Sequence, residues 1–176
     1  MMETDEPPQA HWVMAAVNRY AGPLTRYALF IIGDIELARD IVQETFLKLC
    51  SESPGRVDSH LAQWLFTVCR NHALDVQRKE YRIQPLNEVE LGSHVSPTPS
   101  PAAVAEQRET TGEILELIAK LPKNQQEVIR LKFQNGMSYQ EISAITNLTV
   151  GNVGFLIHTA LKAIRSSCVQ SRQPIP

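Results

Sequence analysis

Side chains suited to holding a nucleic-acid strand recur along "SHLAQWLFTVCRNHALDVQRKEYR", residues 59–82. Helical spacing predicts a buried side made of Leu61, Leu65, Val68, Cys69, His72 and Val76. The opposite side would carry Gln63, Thr67, Arg70, Asn71, Leu74, Arg78 and Tyr81. Because cations neutralise the backbone and flat groups stack on bases, this face is typical of single-strand binding. The alternative is an ordinary solvated helix surface. The preceding glycine-containing loop, residues 51–59, would form one wall of a base pocket.

A second candidate surface lies on "DIELARDIVQETFLKL", residues 34–49. Winding it as a helix gives an inner side of Ala38, Ile41, Val42, Thr45 and Leu49, with Phe46 flanking. The outer side has Glu36, Asp40, Gln43, Glu44 and Leu47. One apolar residue inside an acidic and amide face suits protein docking. Taken alone, this helix is better explained as an ordinary solvated face with a stray leucine, because scattered exposed leucines need no explanation.

The stretch "MSYQEISAITNLTVGNVGFLIHTALK", residues 137–162, predicts a helix–turn–helix. Ser138 and Glu141 form a capping box, Asn147 suits a left-handed turn, and Thr149 caps the second helix. The predicted buried stripe is Val150, Val153, Ile157, Ala160, Leu161 and Ile164. Gly151, Asn152, Gly154, Phe155, His158, Thr159 and Lys162 would point outward, with Leu156 near the border. A helical hairpin without a role in DNA binding is the alternative.

The outward face of that second helix has an unusual composition for a DNA-reading element. Its only full cation is Lys162, whereas base readout normally uses Arg, Lys, Asn or Gln near the helix N-terminus. Asn152 can read adenine, and Phe155 can contact a thymine methyl group. Arg130 and Lys132 on the preceding helix are candidates for phosphate contacts, which position without specifying.

Catalytic and metal-binding patterns do not stand out. The sequence lacks a phosphate loop and a CxxC pair, and its three cysteines are widely spaced, so we expect no enzyme, no cofactor and no metal site. Cys69 and His72 are three apart, but two ligands do not make a zinc site, and burial of both is the simpler interpretation.

The charge is divided unevenly along the chain. Residues 1–92 carry 9 Lys and Arg against 13 Asp and Glu, whereas residues 113–176 carry 7 against 4. The opposite signs suggest different partners for the two ends. No apolar run approaches the roughly 20 residues that span a bilayer. The expectation is a soluble, cytoplasmic protein without membrane insertion.

These surfaces must be positioned by helices, because strand signals are nearly absent. We predict helices over about 12–32 (interrupted near Gly22-Pro23), 34–49, 59–82, 102–120, 122–134, 138–145 and 149–167. Gly33-Asp34 would end the first helix and cap the second. Residues 83–101 contain four prolines and predict an extended linker, and Ser100-Pro101 would begin the next helix. The fold class is therefore all-α, with two helical domains joined by a Pro/Ser-rich linker.

Taken together, these segments resemble the extracytoplasmic-function (ECF) group of bacterial sigma factors, from about Arg19 to Arg165. "ARDIVQETFLKL" resembles the family's polymerase-docking signature, "WLFTVCRNHALDVQRKEYR" its minus-ten helix, and the segment from "LPKNQQ" onward its minus-thirty-five domain. The resemblance implies a region 2-like domain over 10–84, a linker over 85–101 that threads polymerase, and a region 4-like domain over 102–170. It implies polymerase contacts from Asp40, Gln43, Glu44 and Leu47, with Phe46 in support. It implies minus-ten contacts from Arg70, Asn71, Asp75, Arg78 and Lys79.

The recognition helix departs from the family pattern, which places Lys and Arg where this chain has Gly154 and Leu156. The remaining candidates for the minus-thirty-five contact are Asn152, Phe155, His158, Thr159 and Lys162. The glycines would let backbone amides approach phosphate. Alternatively, Phe155 and Leu156 would form a patch for a protein partner.

The expected function is a non-catalytic sigma factor that binds core RNA polymerase and directs promoter-specific initiation. Its expected partners are core RNA polymerase, promoter DNA and an anti-sigma factor. Two other classes stay open from the sequence: a stand-alone helix–turn–helix regulator, which would bind paired half-sites as a dimer, and a sigma-like interaction protein.

Overall fold

The computed structural model describes residues 8–83, 112 and 114–170, and these residues are helical apart from their turns. The helices are α1 (Pro8–Ile32), α2 (Ile35–Cys50), α3 (Pro54–Val57), α4 (Leu61–Ile83), α5 (residues 114–119), α6 (Lys123–Ile129), α7 (Tyr139–Thr146) and α8 (Val150–Gln170). The described part of the chain contains no strand, which confirms the all-α prediction. The predicted linker, the Ser100-Pro101 start and most of the helix predicted over 102–120 lie outside the described residues.

The helices form two compact units. The first contains α1 to α4, and the second contains α5, α6, α8 and most of α7. Within the described residues, no single helix is long and apolar enough to cross a membrane. Helices α7 and α8 pass such a test of length and composition only as a pair, bent by 104°.

The first helix is continuous, so the interruption predicted near Gly22-Pro23 is wrong. Pro23 lies inside α1 even though proline removes a backbone donor and disfavours helix. Buried residues lie on both sides of it along the chain: Ala16 before it, and Leu24, Tyr27 and Ala28 after it. Tertiary packing of this long apolar stripe therefore outweighs the local preference.

Gly33 and Asp34 end α1 and start α2, as predicted. Gly33 has φ +81° and donates its N–H to the Leu29 carbonyl at 2.8 Å. The Asp34 side chain accepts from the Leu37 N–H at 2.9 Å. Gln77 of α4 donates to the Ile31 carbonyl at 3.0 Å, satisfying another group at the end of α1.

The core of the first unit is formed where α1, α2 and α4 pack against one another. Tyr27 and Phe66 make a tilted aromatic contact with their centroids 5.3 Å apart. The buried side chains of this core include Leu24, Ala28, Ile41, Leu49, Leu65, Cys69 and Ala73. Packing from two neighbours fixes the direction of α4 and therefore of its solvent face.

The second unit is organised around α6 and α8, which contact each other. The buried Gln126 of α6 donates to the Ala119 carbonyl at 3.0 Å and to the Leu121 carbonyl at 2.7 Å, closing the end of α5. A π-helical turn over Arg130–Gln134 continues α6, and Gly136 then reverses the chain with φ +67°. Helix α7 starts directly after this reversal.

Candidate protein and nucleic-acid interfaces

Helix α2 presents one exposed face and one buried face, divided as the sequence predicts. Ala38, Ile41, Val42, Thr45 and Leu49 are all buried. The Thr45 hydroxyl donates to the Ile41 carbonyl at 2.8 Å, which accounts for the one polar group on the inner side. The four predicted docking residues are all exposed: Asp40, Gln43, Glu44 and Leu47.

The exposed face of α2 combines acidity with one prominent apolar group. Leu47 is 52% exposed, and neither Asp40 nor Glu44 forms an ion pair with another described residue. Glu36, on the same face, pairs with Arg39 at 2.6 Å. The face is therefore preorganised by the helix and left available to a partner.

Helix α4 brings most of the predicted minus-ten residues onto one face. Four of them are exposed: Asn71, Asp75, Arg78 and Lys79. An α-helix turns by about 100° per residue, so these four side chains lie within an arc of about 100° around the helix axis. Asp75 and Arg78 approach to 3.4 Å. Arg70 is half-buried and lies about 100° from Asn71, so the structure does not place it on this face. The side chain of Tyr81 lies outside the described residues.

The buried side of α4 differs from the predicted stripe. Leu65 and Cys69 are buried as expected, but Phe66 and Ala73 are buried too. Leu61, Val68, His72 and Val76 are only half-buried. Because α4 packs against both α1 and α2, its buried arc is turned away from the single stripe that periodicity gives.

The segment between α2 and α4 is more ordered than the predicted loop. It contains α3 and a 3-10 turn over Asp58–His60, with Val57 buried beneath them. The Asp58 carboxylate accepts from the indole N–H of Trp12 at 3.2 Å. Gln9 donates to the Cys50 carbonyl at 2.9 Å and the Glu52 carbonyl at 3.2 Å, so α1 holds this segment from one side.

The helix–turn–helix signals are all realised. Ser138 N–H donates to the Glu141 carboxylate at 2.7 Å, and Glu141 N–H donates to the Ser138 hydroxyl at 3.2 Å. Asn147 is left-handed, with φ 59°. The Asn152 N–H donates to the Thr149 hydroxyl at 3.2 Å. These local bonds set the short turn that aims α8.

The outward face of α8 is largely as predicted, with corrections at its borders. Asn152, Phe155, His158 and Lys162 are exposed, and Thr159 is half-buried. Leu156 is only 6% exposed and belongs to the core, whereas the predicted stripe members Val150 and Leu161 are exposed. Helix α6 packs on α8, and Val150 is the first residue of α8.

Tyr139 is a neighbour of the recognition helix that sequence reasoning missed. A side chain added at Gly154 would have its Cβ 3.6 Å from the Tyr139 ring, so this ring lies beside the glycine. The Lys132 ammonium lies 5.3 Å from the centre of the same ring and donates to the Met137 carbonyl at 3.2 Å. Lys132, predicted as a phosphate contact, is thus engaged within its own unit. The half-buried Arg130 has a pKa lowered by burial.

Cys69 and His72 have no third potential metal ligand grouped with them among the described residues. Among the described residues, no three His, Cys, Asp or Glu side chains are grouped to hold a metal ion. Burial raises the pKa of the Cys69 thiol to about 12, while a hydrogen bond with Thr45 acts in the opposite direction. This thiol is a protonated core group. His72 Nδ1 is buried without a hydrogen-bond partner among the described residues.

Comparison with known proteins identifies the family. The Sigma-70 region 2 family model matches residues 16–83, and the Sigma-70 region 4 model matches residues 111–164. The ECF RNA polymerase sigma factor SigL of Mycobacterium tuberculosis is 30% identical over 160 residues, covering 89% of each chain. SigM of Bacillus subtilis, also an ECF sigma factor, is 28% identical over 149 residues, covering 84% of this chain and 89% of its own.

Two solved structures share the fold. CnrH in complex with the cytosolic domain of CnrY has a TM-score of 0.57 and 22% identity, covering 92% of this chain and 89% of its own. The sigma factor RpoE of Bartonella quintana, in complex with the anti-sigma factor NepR, has a TM-score of 0.59 and 20% identity. The match covers 87% of this chain and 94% of RpoE.

The protein therefore belongs to the ECF group of RNA polymerase sigma factors. It is a non-enzymatic initiation factor that binds core RNA polymerase and directs promoter-specific transcription, as the sequence predicts. The sequence left three classes open: a sigma factor, a stand-alone helix–turn–helix regulator and a sigma-like interaction protein. The family match selects the sigma factor.

Proposed function

We propose that the exposed face of α2, formed by Asp40, Gln43, Glu44 and Leu47, is the surface that docks on core RNA polymerase. The observation that carries this proposal is the burial of the inner side of α2, which leaves its outer side, where these four residues lie, available to a partner. An exposed leucine surrounded by carboxylates and an amide provides an apolar centre with a polar rim, the common anatomy of protein interfaces.

Asn71, Asp75, Arg78 and Lys79 form the proposed minus-ten surface on α4, with Arg70 at its border. Capturing a base from a partly opened duplex costs a few kcal/mol. Contacts between α2 and polymerase would offset part of this cost by holding α4 at the promoter. The phosphodiester chemistry belongs to the polymerase.

The proposed minus-thirty-five surface lies on α8 and consists of Asn152, Phe155, His158, Thr159 and Lys162. The capping box and the left-handed Asn147 support this role because they set the turn geometry that a recognition helix needs. The proposed domains are residues 10–84 and 102–170, joined by the linker 85–101.

An anti-sigma factor is a further proposed partner, and the proposed location is the cytoplasm, where polymerase acts. The support is a solved structure of similar fold, the RpoE–NepR complex. A candidate antagonist should displace the chain from polymerase and stop transcription in a purified system; an antagonist that binds without either effect would count against this role.

The central test is transcription in vitro with core polymerase and a pool of promoters.

Asp40→Ala combined with Gln43→Ala should weaken polymerase binding roughly tenfold, because interface residues at a docking centre dominate affinity. Glu80→Ala, which removes an exposed carboxylate from α4, is the control and should leave affinity unchanged. Unchanged affinity in the double variant, with normal helicity, would place the docking surface elsewhere.

A further inference from the structure

We propose that Phe155 reads the 5-methyl group of a thymine in the upstream promoter element, and that Asn152 reads an adenine at the neighbouring base pair. This inference rests on the proposed role of α8 as the helix that enters upstream DNA. It goes further by assigning base identity to two side chains of this chain.

Phe155 occupies the centre of the exposed face of α8. With 100° per residue, Lys162 and Gly151 lie within about 40° of it, and Asn152 and His158 lie about 60° to either side. All five positions are exposed, and Phe155 is 64% exposed. A large apolar side chain thus projects from the middle of an otherwise polar or side-chain-free surface.

Helix packing rules out a joint apolar patch of Phe155 and Leu156. Leu156 is buried and points about 100° away from Phe155. The exposed Val150 and Leu161 lie more than about 100° from Phe155, on the far flank. Phe155 is therefore an isolated apolar contact flanked by Asn152 and His158, which fits a DNA groove better than an apolar protein surface.

The chemistry of the major groove selects the partner of each side chain. Phenylalanine offers no hydrogen bond, and the apolar feature that a base presents in the major groove is the thymine methyl group. Asparagine is suited to a bidentate pair with adenine N6 and N7. Gly151 has no side chain, and a Cβ there would meet nothing within 4 Å, so the space beside Phe155 on this side is open.

The spacing of the two side chains fits adjacent base pairs. Asn152 and Phe155 are three residues apart, a rise of about 4.5 Å along the helix. This compares with 3.4 Å per step along each DNA strand, and side chains three apart on a recognition helix contact successive bases in zinc fingers. The expected upstream element therefore contains two adjacent A·T base pairs under the first turns of α8, one read at its thymine methyl group and the other at its adenine.

The test uses the full chain with core polymerase on promoters selected from a pool randomised upstream of a fixed minus-ten region. Each thymine of the selected element is replaced by deoxyuridine, one at a time. At one position, loss of the methyl group should weaken wild-type promoter binding about fourfold, the value of one buried methyl-sized group. At that position, 5-methylcytosine should bind about fourfold better than cytosine.

Matched variants connect these effects to the two side chains. Phe155→Ala should bind the thymine and deoxyuridine promoters equally, while Leu161→Ala should keep wild-type sensitivity to deoxyuridine. Replacing the neighbouring adenine with 7-deazaadenine should cost the wild type about tenfold and cost Asn152→Ala nothing. The modified-base measurements on the wild type need no variant to fold.

The possible results separate the two proposals. If deleting the upstream element abolishes binding but no deoxyuridine substitution matters, the methyl readout is wrong and the role of α8 stands. If Phe155→Ala remains sensitive to deoxyuridine, Phe155 acts through another contact, such as a protein, and the inference is overturned. If selection yields no upstream preference at all, the proposed role of α8 fails together with the inference.

Discussion

Arg78 and Asp75 lie one helical turn apart on α4, and their charged groups are 3.4 Å apart with side chains 70% and 59% exposed. An ion pair this exposed adds little to stability, typically about 0–1 kcal/mol. Arg78 is therefore held loosely in orientation rather than locked into the fold. It can exchange Asp75 for a phosphate or a base without a large cost.

Replacing Arg78 with alanine should reduce open-complex formation about tenfold while polymerase binding changes little. The reason is that a charge-assisted contact contributes about 1.5–3 kcal/mol where it forms, and the proposed contact between Arg78 and DNA is absent when the chain binds polymerase alone. Permanganate reactivity of unpaired thymines reports opening, and a polymerase titration reports binding.

The matched control is Arg39→Ala, which also removes an exposed arginine paired with a carboxylate one turn earlier. It should leave opening by the bound complex unchanged. Equal losses of opening and of polymerase binding in Arg78→Ala would refute the proposed division between α2 and α4.

Features that depend on local interactions and on simple helical periodicity were predictable from the sequence. The division of α2 into two faces follows from periodicity alone, and so do the caps at Asp34, Ser138 and Thr149, because these are local interactions. Burial of Phe66 was missed because α4 packs against both α1 and α2, which turns its buried arc. Leu156, predicted near the border of the exposed face, lies in the core. The continuity of α1 through Pro23 is also a tertiary effect, invisible to a local rule.

The capping box of α7 leads to a prediction for that element. Ser138→Ala should destabilise the second unit by about 1 kcal/mol, since it removes the acceptor for the Glu141 N–H at the helix start. Chemical denaturation followed by circular dichroism measures the change.

Ser166→Ala is a control within the same unit, because the Ser166 hydroxyl donates only to the Lys162 carbonyl one turn earlier on α8. It should change stability by less than about 0.5 kcal/mol. A Ser138→Ala variant as stable as this control would show that the capping box does not limit the stability of the unit.

At the scale of the molecule, the distribution of charge predicts that DNA binding depends on polymerase. The formal net charge is −2, and the exposed face of α8 presents Lys162 but no arginine near its first turns. Lys132, which precedes the helix–turn–helix, is occupied by Tyr139 and the Met137 carbonyl. Few phosphates can be neutralised by such a surface, and nonspecific affinity comes mainly from phosphate neutralisation.

The free chain should therefore bind duplex promoter DNA weakly, with a dissociation constant above about 1 μM near physiological salt. Its affinity should fall by less than about tenfold between 50 and 200 mM salt, because few counterions are released. Fluorescence anisotropy over this range measures both quantities. Submicromolar binding with a steep salt dependence would reveal a basic DNA surface other than α8.

Gln9 and Trp12 contact the connection between α2 and α4, so the packed part of the first unit extends N-terminal to the family match. The Sigma-70 region 2 match begins only at residue 16, beyond both side chains. Yet they supply three hydrogen bonds to Cys50, Glu52 and Asp58, at 2.9, 3.2 and 3.2 Å. A chain that begins at residue 16 would keep its core but lose these three hydrogen bonds to the α2–α4 connection.

Limited proteolysis makes this consequence visible, since the connection contains the exposed Arg56 next to the buried Val57. Deleting residues 1–12 should speed tryptic cleavage after Arg56 about fivefold, because roughly 1 kcal/mol of local stability is lost. Deleting residues 1–7 retains both donors and should leave the rate unchanged. Equal cleavage rates in the two shortened chains would mean that the hydrogen bonds of Gln9 and Trp12 do not stabilise the connection. The stable part of the first unit would then begin where the family match begins.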